Sequence, residues 1–211
     1  MSRILYLGLR LPEALKSCAH VTHLPLIQIK PRPFKDLEES FKDHLLWTHL
    51  VFTSQTAVDL FFEVCHHFDF ERMNSKKILA VGKMTAARLK NWGMEVDALP
   101  AEETAEGMTA LCQTWNVNQV YAFWPHSALS RPVLTNYWQQ QGIRYQDCVL
   151  YETYPQQPVD LPSLEHFDEI IFTSPSTVDA FIQFYERLPI KTKLTSIGPV
   201  TAAYLARLSV S

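Results

Sequence analysis

No stretch of this chain approaches the ~20 consecutive apolar residues that a membrane-spanning helix needs. Nor does any block of lysine and arginine advertise a nucleic-acid or membrane surface: charged residues make up 19% of 211, and the net charge of −3 comes from interspersed signs. An anionic ligand must therefore be held by local groups. The four cysteines, Cys18, Cys65, Cys112 and Cys148, lie far apart with no CxxC spacing, which argues against a zinc site or redox pair and for reduced thiols in a cytoplasmic protein. The opening MSRILYLGLRLPEALK stops its apolar run at Arg10 and Pro12 without a small-residue cleavage site, so it reads as a first strand and not as a signal peptide. GxGxxG, GxxxxGK[ST], GxSxG and HExxH are all missing, leaving dinucleotide, P-loop, serine-hydrolase and zincin readings nothing to rest on. His66–His67, on a helix with no partnered carboxylate at ligand spacing, and His20/His23, on an expected strand, read as surface or core histidines; no metal is expected.

What is present is a well-filled α/β pattern. Apolar residues make up 47% of the chain, enough for one large domain or two small ones. Short continuous apolar runs at 4–9, 50–52, 78–81, 119–124 and 169–172 suit parallel strands covered on both faces. Between them, 55–68 places Val58, Phe61, Phe62 and Cys65 on one helical face. An internal repeat organises the whole. LVFTSQTAVDLFF at 50–62 recurs as IIFTSPSTVDAFI at 170–182, and AVGKMTAARL at 80–89 recurs as SIGPVTAAYL at 196–205. Two blocks repeated in the same order mean one α/β unit used twice. Two Pro-bearing extended segments, 24–34 and 148–158, read as paired linkers. The expected division is a discontinuous first lobe of residues 1–28 plus 156–211, an inserted second lobe of 35–147, and connector strands at 29–34 and 148–155. Two crossings make a hinge that can close on a ligand.

Both FTS triplets and both GxxTAA motifs stand where a strand gives way to a helix. Plain helix capping accounts for any one of them. Four such turns, paired by the repeat at the carboxyl ends of strands, suit a ligand with several carboxylates or phosphates. With no nucleophile–base pair in sight, an enzyme of this kind works by positioning and hydrogen bonding. Tyr151 and Tyr154, in the second linker, are either hinge packing or proton donors to a departing group.

Phe52-Thr53-Ser54 with Val58, Ala80-Val81-Gly82 with Thr85-Ala86, Pro100 with Thr104-Ala105-Glu106-Gly107-Met108, Val149-Leu150-Tyr151-Glu152-Thr153, Phe172-Thr173-Ser174-Pro175-Ser176 with Val178, and Ile197-Gly198-Pro199 with Thr201-Ala202 follow one another along the chain. In that order they resemble the uroporphyrinogen-III synthase family, over nearly the whole length. The resemblance implies two similar doubly wound parallel-sheet lobes, joined by a two-stranded connector, with the active site in a cleft. It implies a substrate, hydroxymethylbilane, that is a linear tetrapyrrole rich in carboxylates. It further implies cyclisation through a spiro intermediate with inversion of the terminal pyrrole ring, no cofactor, a monomer, and a possible hand-over of substrate from the preceding pathway enzyme. By position in the motifs, Tyr151 matches the tyrosine proposed to assist departure of the hydroxyl. Thr53, Ser54, Thr85, Thr173, Ser174, Ser176, Gly198 and Thr201 match cleft-lining positions. Arg10 and Arg131 are added as carboxylate partners from their places after strands. Two departures stand out. Pro125-His126-Ser127 replaces a basic residue and glycine, and the chain stops at Ser211 where the family continues with another strand and helix, so the first lobe is expected to be C-terminally shortened. The alternative is a non-catalytic two-lobed binding or regulatory protein for an anionic small molecule.

Overall fold

The structure, a computed structural model, describes residues 2–70 and 75–208. The strands are β1 (Ile4–Tyr6), β2 (Val21–His23), β3 (Ile27–Pro31), β4 (His49–Phe52), β5 (Lys77–Ala80), β6 (Tyr121–Ser127), β7 (Arg144–Pro155), β8 (Glu169–Phe172) and β9 (Lys193–Ser196). The helices are α1 (Glu13–Lys16), α2 (Phe34–Phe41), α3 (Gln55–His67), α4 (Lys83–Asn91), α5 (Ala105–Cys112), α6 (Val133–Gln141), α7 (Pro175–Tyr185) and α8 (Pro199–Leu208). The chain divides into two compact units, residues 1–29 with 153–211 and residues 30–152.

In the first unit β2-β1-β8-β9 form a parallel sheet. Leu5, Ile170 and Phe172 from its strands, with Leu7 just beyond β1, pack with Val178, Ala180 and Phe181 of α7. This is the both-faces-covered sheet that the apolar runs predict. The sheet β3-β7-β6-β4-β5 belongs mainly to the second unit, the start of β3 and the end of β7 being counted in the first, and in it β7, β6, β4 and β5 are parallel neighbours. The N–H of Arg32 reaches the carbonyl of Leu150 and that of Gln156 reaches Leu26. Residue numbers fall along β7 as they rise along β3, so this pair is antiparallel.

The repeat is visible element by element. β4-α3-β5-α4 in the second unit corresponds to β8-α7-β9-α8 in the first. α3 buries Val58, Phe61, Val64 and Cys65, while Phe62 turns aside to stack on Trp92 at 5.2 Å. Asp59 accepts hydrogen bonds from Arg88 and the Trp92 indole. At the repeat-equivalent place Asp179 accepts from the Tyr204 hydroxyl. Each unit thus ties the same two helices by an aspartate, with a different donor.

The strand expected at 119–124 begins two residues later, because 117–119 form a 3-10 turn, and it runs on through Pro125 to Ser127. A proline inside a sheet lacks a ladder donor. Here the loss costs nothing, because Tyr121, Phe123 and Pro125 direct their backbone polar groups toward β4, and β4 pairs with β6 only as far as Phe123.

Candidate functional site

The residues singled out by sequence gather at the carboxyl ends of strands within each unit, the place where doubly wound sheets bind ligands. In the second unit the chain leaves β4 through Thr53 and Ser54. Ser54 is the N-cap of α3, its hydroxyl accepting from the Ala57 N–H at 3.1 Å. The same hydroxyl lies 3.0 Å from the hydroxyl of Tyr151 on β7. Tyr151 is only 5% exposed. Burial pushes its phenol above the ordinary tyrosine value, against the opposing pull of the Ser54, Ser127 and Thr56 hydroxyls. A phenol so placed stays protonated through the neutral range and can donate. Tyr154, three residues on, is 40% exposed and belongs to the first unit.

Thr53 accepts a hydrogen bond from the Trp124 indole at 3.1 Å. Trp124 stacks at 4.0 Å on His126, itself buried, with one ring nitrogen 2.8 Å from the Ser127 carbonyl and the other 3.2 Å from the Asp147 carboxylate. Thr85 is buried in the first turns of α4. The glycine turn before that helix already carries a carboxylate: Glu103 accepts from the Lys83 N–H at 3.1 Å, and a Cβ at Gly82 would collide with the Glu103 side chain. Glu103 therefore supplies the cap that Gly82 lacks. Arg131 is engaged as well, in a bidentate pair with Glu106 at 2.6 and 2.9 Å, which holds the Glu106 carboxyl below the usual carboxylate range.

In the first unit Ser174 caps α7 in a reciprocal box with Thr177, and its hydroxyl also meets that of Ser176 at 2.9 Å. The N–H groups of Thr173 and Ser174 both reach the Thr177 hydroxyl. Gly198 stands at φ +85° before α8, a left-handed conformation that glycine adopts without strain, and Thr201 behind it is buried. Ile197, Gly198, Pro199 and Val200 are exposed, so the amino end of α8 faces solvent. Arg10 is exposed beyond β1. Gly8 lies between that strand and Arg10, its carbonyl taking the His23 ring nitrogen at 2.7 Å.

The histidine pairs have structural partners: His23 bonds Gly8, and His67 stacks on Phe34 at 4.0 Å. Cys65, Cys112 and Cys148 are buried free thiols, the first pushed up to about 12 and the others to about 11 by burial. Among the described residues no helix is long and apolar enough to cross a membrane.

Sequence reasoning missed Glu103, Thr177, Ser127 and Thr56 as partners of the residues it chose. Only Thr177 carried a local signal, a hydroxyl three residues beyond an N-cap serine.

The family profile described as uroporphyrinogen-III synthase HemD matches residues 13–211. A relative from Methanothermobacter thermautotrophicus, named provisionally as a uroporphyrinogen-III synthase, is 25% identical over 191 residues, covering 84% of this chain and 76% of its own. Among solved structures, a mutant uroporphyrinogen III synthase from the extremely thermophilic bacterium Thermus thermophilus superposes with a TM-score of 0.67 at 18% identity, covering 99% of this chain and 90% of that one. The uroporphyrinogen-III synthetase of Helicobacter pylori 26695 gives 0.64 at 19%, with the same coverage. At such identities the structural likeness is one of fold, α/β with parallel sheets. Taken with the profile match over nearly the whole length, it leaves one assignment: the chain belongs to the uroporphyrinogen-III synthase family.

Proposed function

We propose that this chain is a cyclising hydro-lyase that converts hydroxymethylbilane into uroporphyrinogen III, inverting the terminal pyrrole ring as water is lost. The observation that carries the reading, beyond family membership, is the buried phenol of Tyr151 held 3.0 Å from the Ser54 hydroxyl at the carboxyl end of β4. Tyr151 donates a proton to the departing hydroxyl of the substrate, and the Ser54 hydroxyl keeps the phenol aimed. The open amino end of α8, with Gly198 and Thr201, and the Thr173-Ser174-Ser176 turn hold substrate carboxylates on their N–H and O–H groups. Thr53, Ser54, Thr85 and the guanidinium groups of Arg10 and Arg131 complete the proposed contacts. Because the substrate closes without inversion when unassisted, the work lies in holding the chain so that the spiro route wins. No cofactor is needed for that step, and the proposed setting is a cytoplasmic monomer.

A second reading is favoured by one feature. Two anion-seeking elements of the second unit already hold the chain's own carboxylates, Glu103 on the α4 turn and Glu106 on Arg131. With those groups taken, the unit has fewer contacts left to force a ring inversion, as in a protein that only holds an anionic small molecule through the other turns. Freshly prepared hydroxymethylbilane separates the two. With the protein present, chromatography of the oxidised products is expected to show mainly the type III isomer. Type I alone, as in buffer, would leave only the binding reading.

A further inference from the structure

The parallel ladder between β6 and β7 runs in regular step from Tyr121↔Arg144 to His126↔Val149 and then skips a residue, so that Ser127 pairs with Tyr151 in place of Leu150. Partners across a parallel ladder present their side chains to the same face. Without the skip Ser127 would stand beside Leu150, and Tyr151 would fall out of step with it. The skip makes Ser127 the ladder partner of Tyr151, so that its side chain stands beside that of Tyr151 on the same face. Register shifts of this kind re-aim a side chain next to a site, and they need their freed backbone groups satisfied.

The carbonyls at the skip have partners. The Leu150 carbonyl is taken by the Arg32 N–H at 2.8 Å, and the Tyr151 carbonyl by Ala128 at 2.9 Å. The Ser127 carbonyl accepts from the Ser130 N–H at 3.0 Å and also faces a ring nitrogen of His126 at 2.8 Å. The Ser127 hydroxyl also accepts from the Leu129 N–H at 3.1 Å, which turns the chain out of the strand. His126 in turn is fixed on three sides: its second nitrogen meets Asp147, its face stacks on Trp124, and Trp124 is anchored through its indole N–H to Thr53 beside the Ser54 cap. The imidazole is therefore a brace between the strand that carries Tyr151 and the backbone that carries Ser127.

We propose that His126 is a positioning residue for Tyr151: by pinning the Ser127 backbone at the register shift, it sets the Ser127 hydroxyl against the phenol. Its consequence for rate rests on the reading of Tyr151 as the proton donor; its consequence for the phenol's surroundings does not.

The test uses the full chain labelled with 13C at the tyrosine ζ carbon, with the Tyr151 signal identified by its loss in Tyr151→Phe. Removing the Ser127 hydroxyl takes away a bond that holds the phenol pKa down, so in Ser127→Ala the signal titrates at higher pH than in the wild type. His126→Gln is expected to move it the same way and to lower kcat roughly tenfold with KM within about twofold, the effect of a modest misplacement. His126→Asn, whose amide N–H stands near the ring nitrogen that faces Ser127, is expected to restore most of both; a packing role alone would give no such preference. A Tyr151 signal unmoved by His126→Gln overturns the proposal, as does an equal displacement in the Asn and Gln variants. A displaced signal with an unchanged rate upholds the brace and removes Tyr151 from the chemistry. If His126→Gln does not fold, Asp147→Asn, at a half-exposed carboxylate, is read in the same way and is expected to give a smaller displacement in the same direction.

Discussion

At the scale of single residues, the fold holds the Tyr151 phenol buried and protonated, as the proton donor of the proposed reaction must be. Because the Tyr151 pKa is raised in the fold, the folded form holds the phenolic proton more tightly than the unfolded chain. The associated stability is fully present below the ordinary tyrosine value of 10.0 and is lost as pH rises through the folded value. Tyr151→Phe is thus expected to remove a tyrosine that titrates above the ordinary tyrosine value, seen by ultraviolet difference titration. It is also expected to lower the rate of type III formation by roughly 10²-fold or more while the thermal midpoint stays near that of the wild type. A phenylalanine variant with full activity would make the tyrosine a packing residue. The Ser54 and Ser174 caps were readable from sequence because capping is local: the side chain bonds an N–H three residues ahead. Glu103 and Glu106 were not, since their partners Lys83 and Arg131 stand 20 and 25 residues away, and no short-range pattern encodes such a meeting.

At the scale of elements, the aspartates joining paired helices differ in what they hold. Asp59 is nearly buried and receives both a guanidinium and an indole N–H, whereas Asp179 receives a tyrosine hydroxyl at an exposed position. Removing the charge at a buried paired site leaves a partner unsatisfied, which costs more than loss of a surface bond. Asp59→Asn is expected to cost about 2–4 kcal/mol in urea unfolding, and Asp179→Asn about 1 kcal/mol or less. Equal losses would show that burial is not what separates them. Strand positions were legible because runs apolar on both faces have few alternatives to a covered parallel sheet. The extension of β6 across Pro125 and the skip opposite Tyr151 were not, because both depend on where the neighbouring strand stops pairing, which is not written in β6 itself.

At the scale of the whole molecule, a duplicated unit supplies its own control. In the second unit the outward N–H groups of β5 are covered: Ile78 donates to the Asp97 carboxylate at 2.7 Å and Ala80 to the Ala98 carbonyl at 3.3 Å. The matching positions on β9 are Leu194 and Ser196. Lys193 and Ile197 turn their N–H groups to β8, so these two point away from the sheet, and among the described residues β9 pairs only with β8. Native-state hydrogen exchange is therefore expected to be slow at Ile78 and Ala80 and faster by roughly 10²-fold or more at Leu194 and Ser196. Matched protection at the two pairs would mean that the β9 edge is covered.

That edge also bears on how the protein behaves in a crowded solution. Its sequence is Lys-Leu-Thr-Ser, opening on an ammonium group and closing on hydroxyls, where the equivalent Lys-Ile-Leu-Ala strand of the second unit is buried along three of its four residues. Four residues, with Lys193 and Thr195 both turned to the Glu169 carboxylate, offer a passing chain only a short template for strand addition. The shortness of β9 and its polar residues are what limit pairing of that uncovered edge with a second chain.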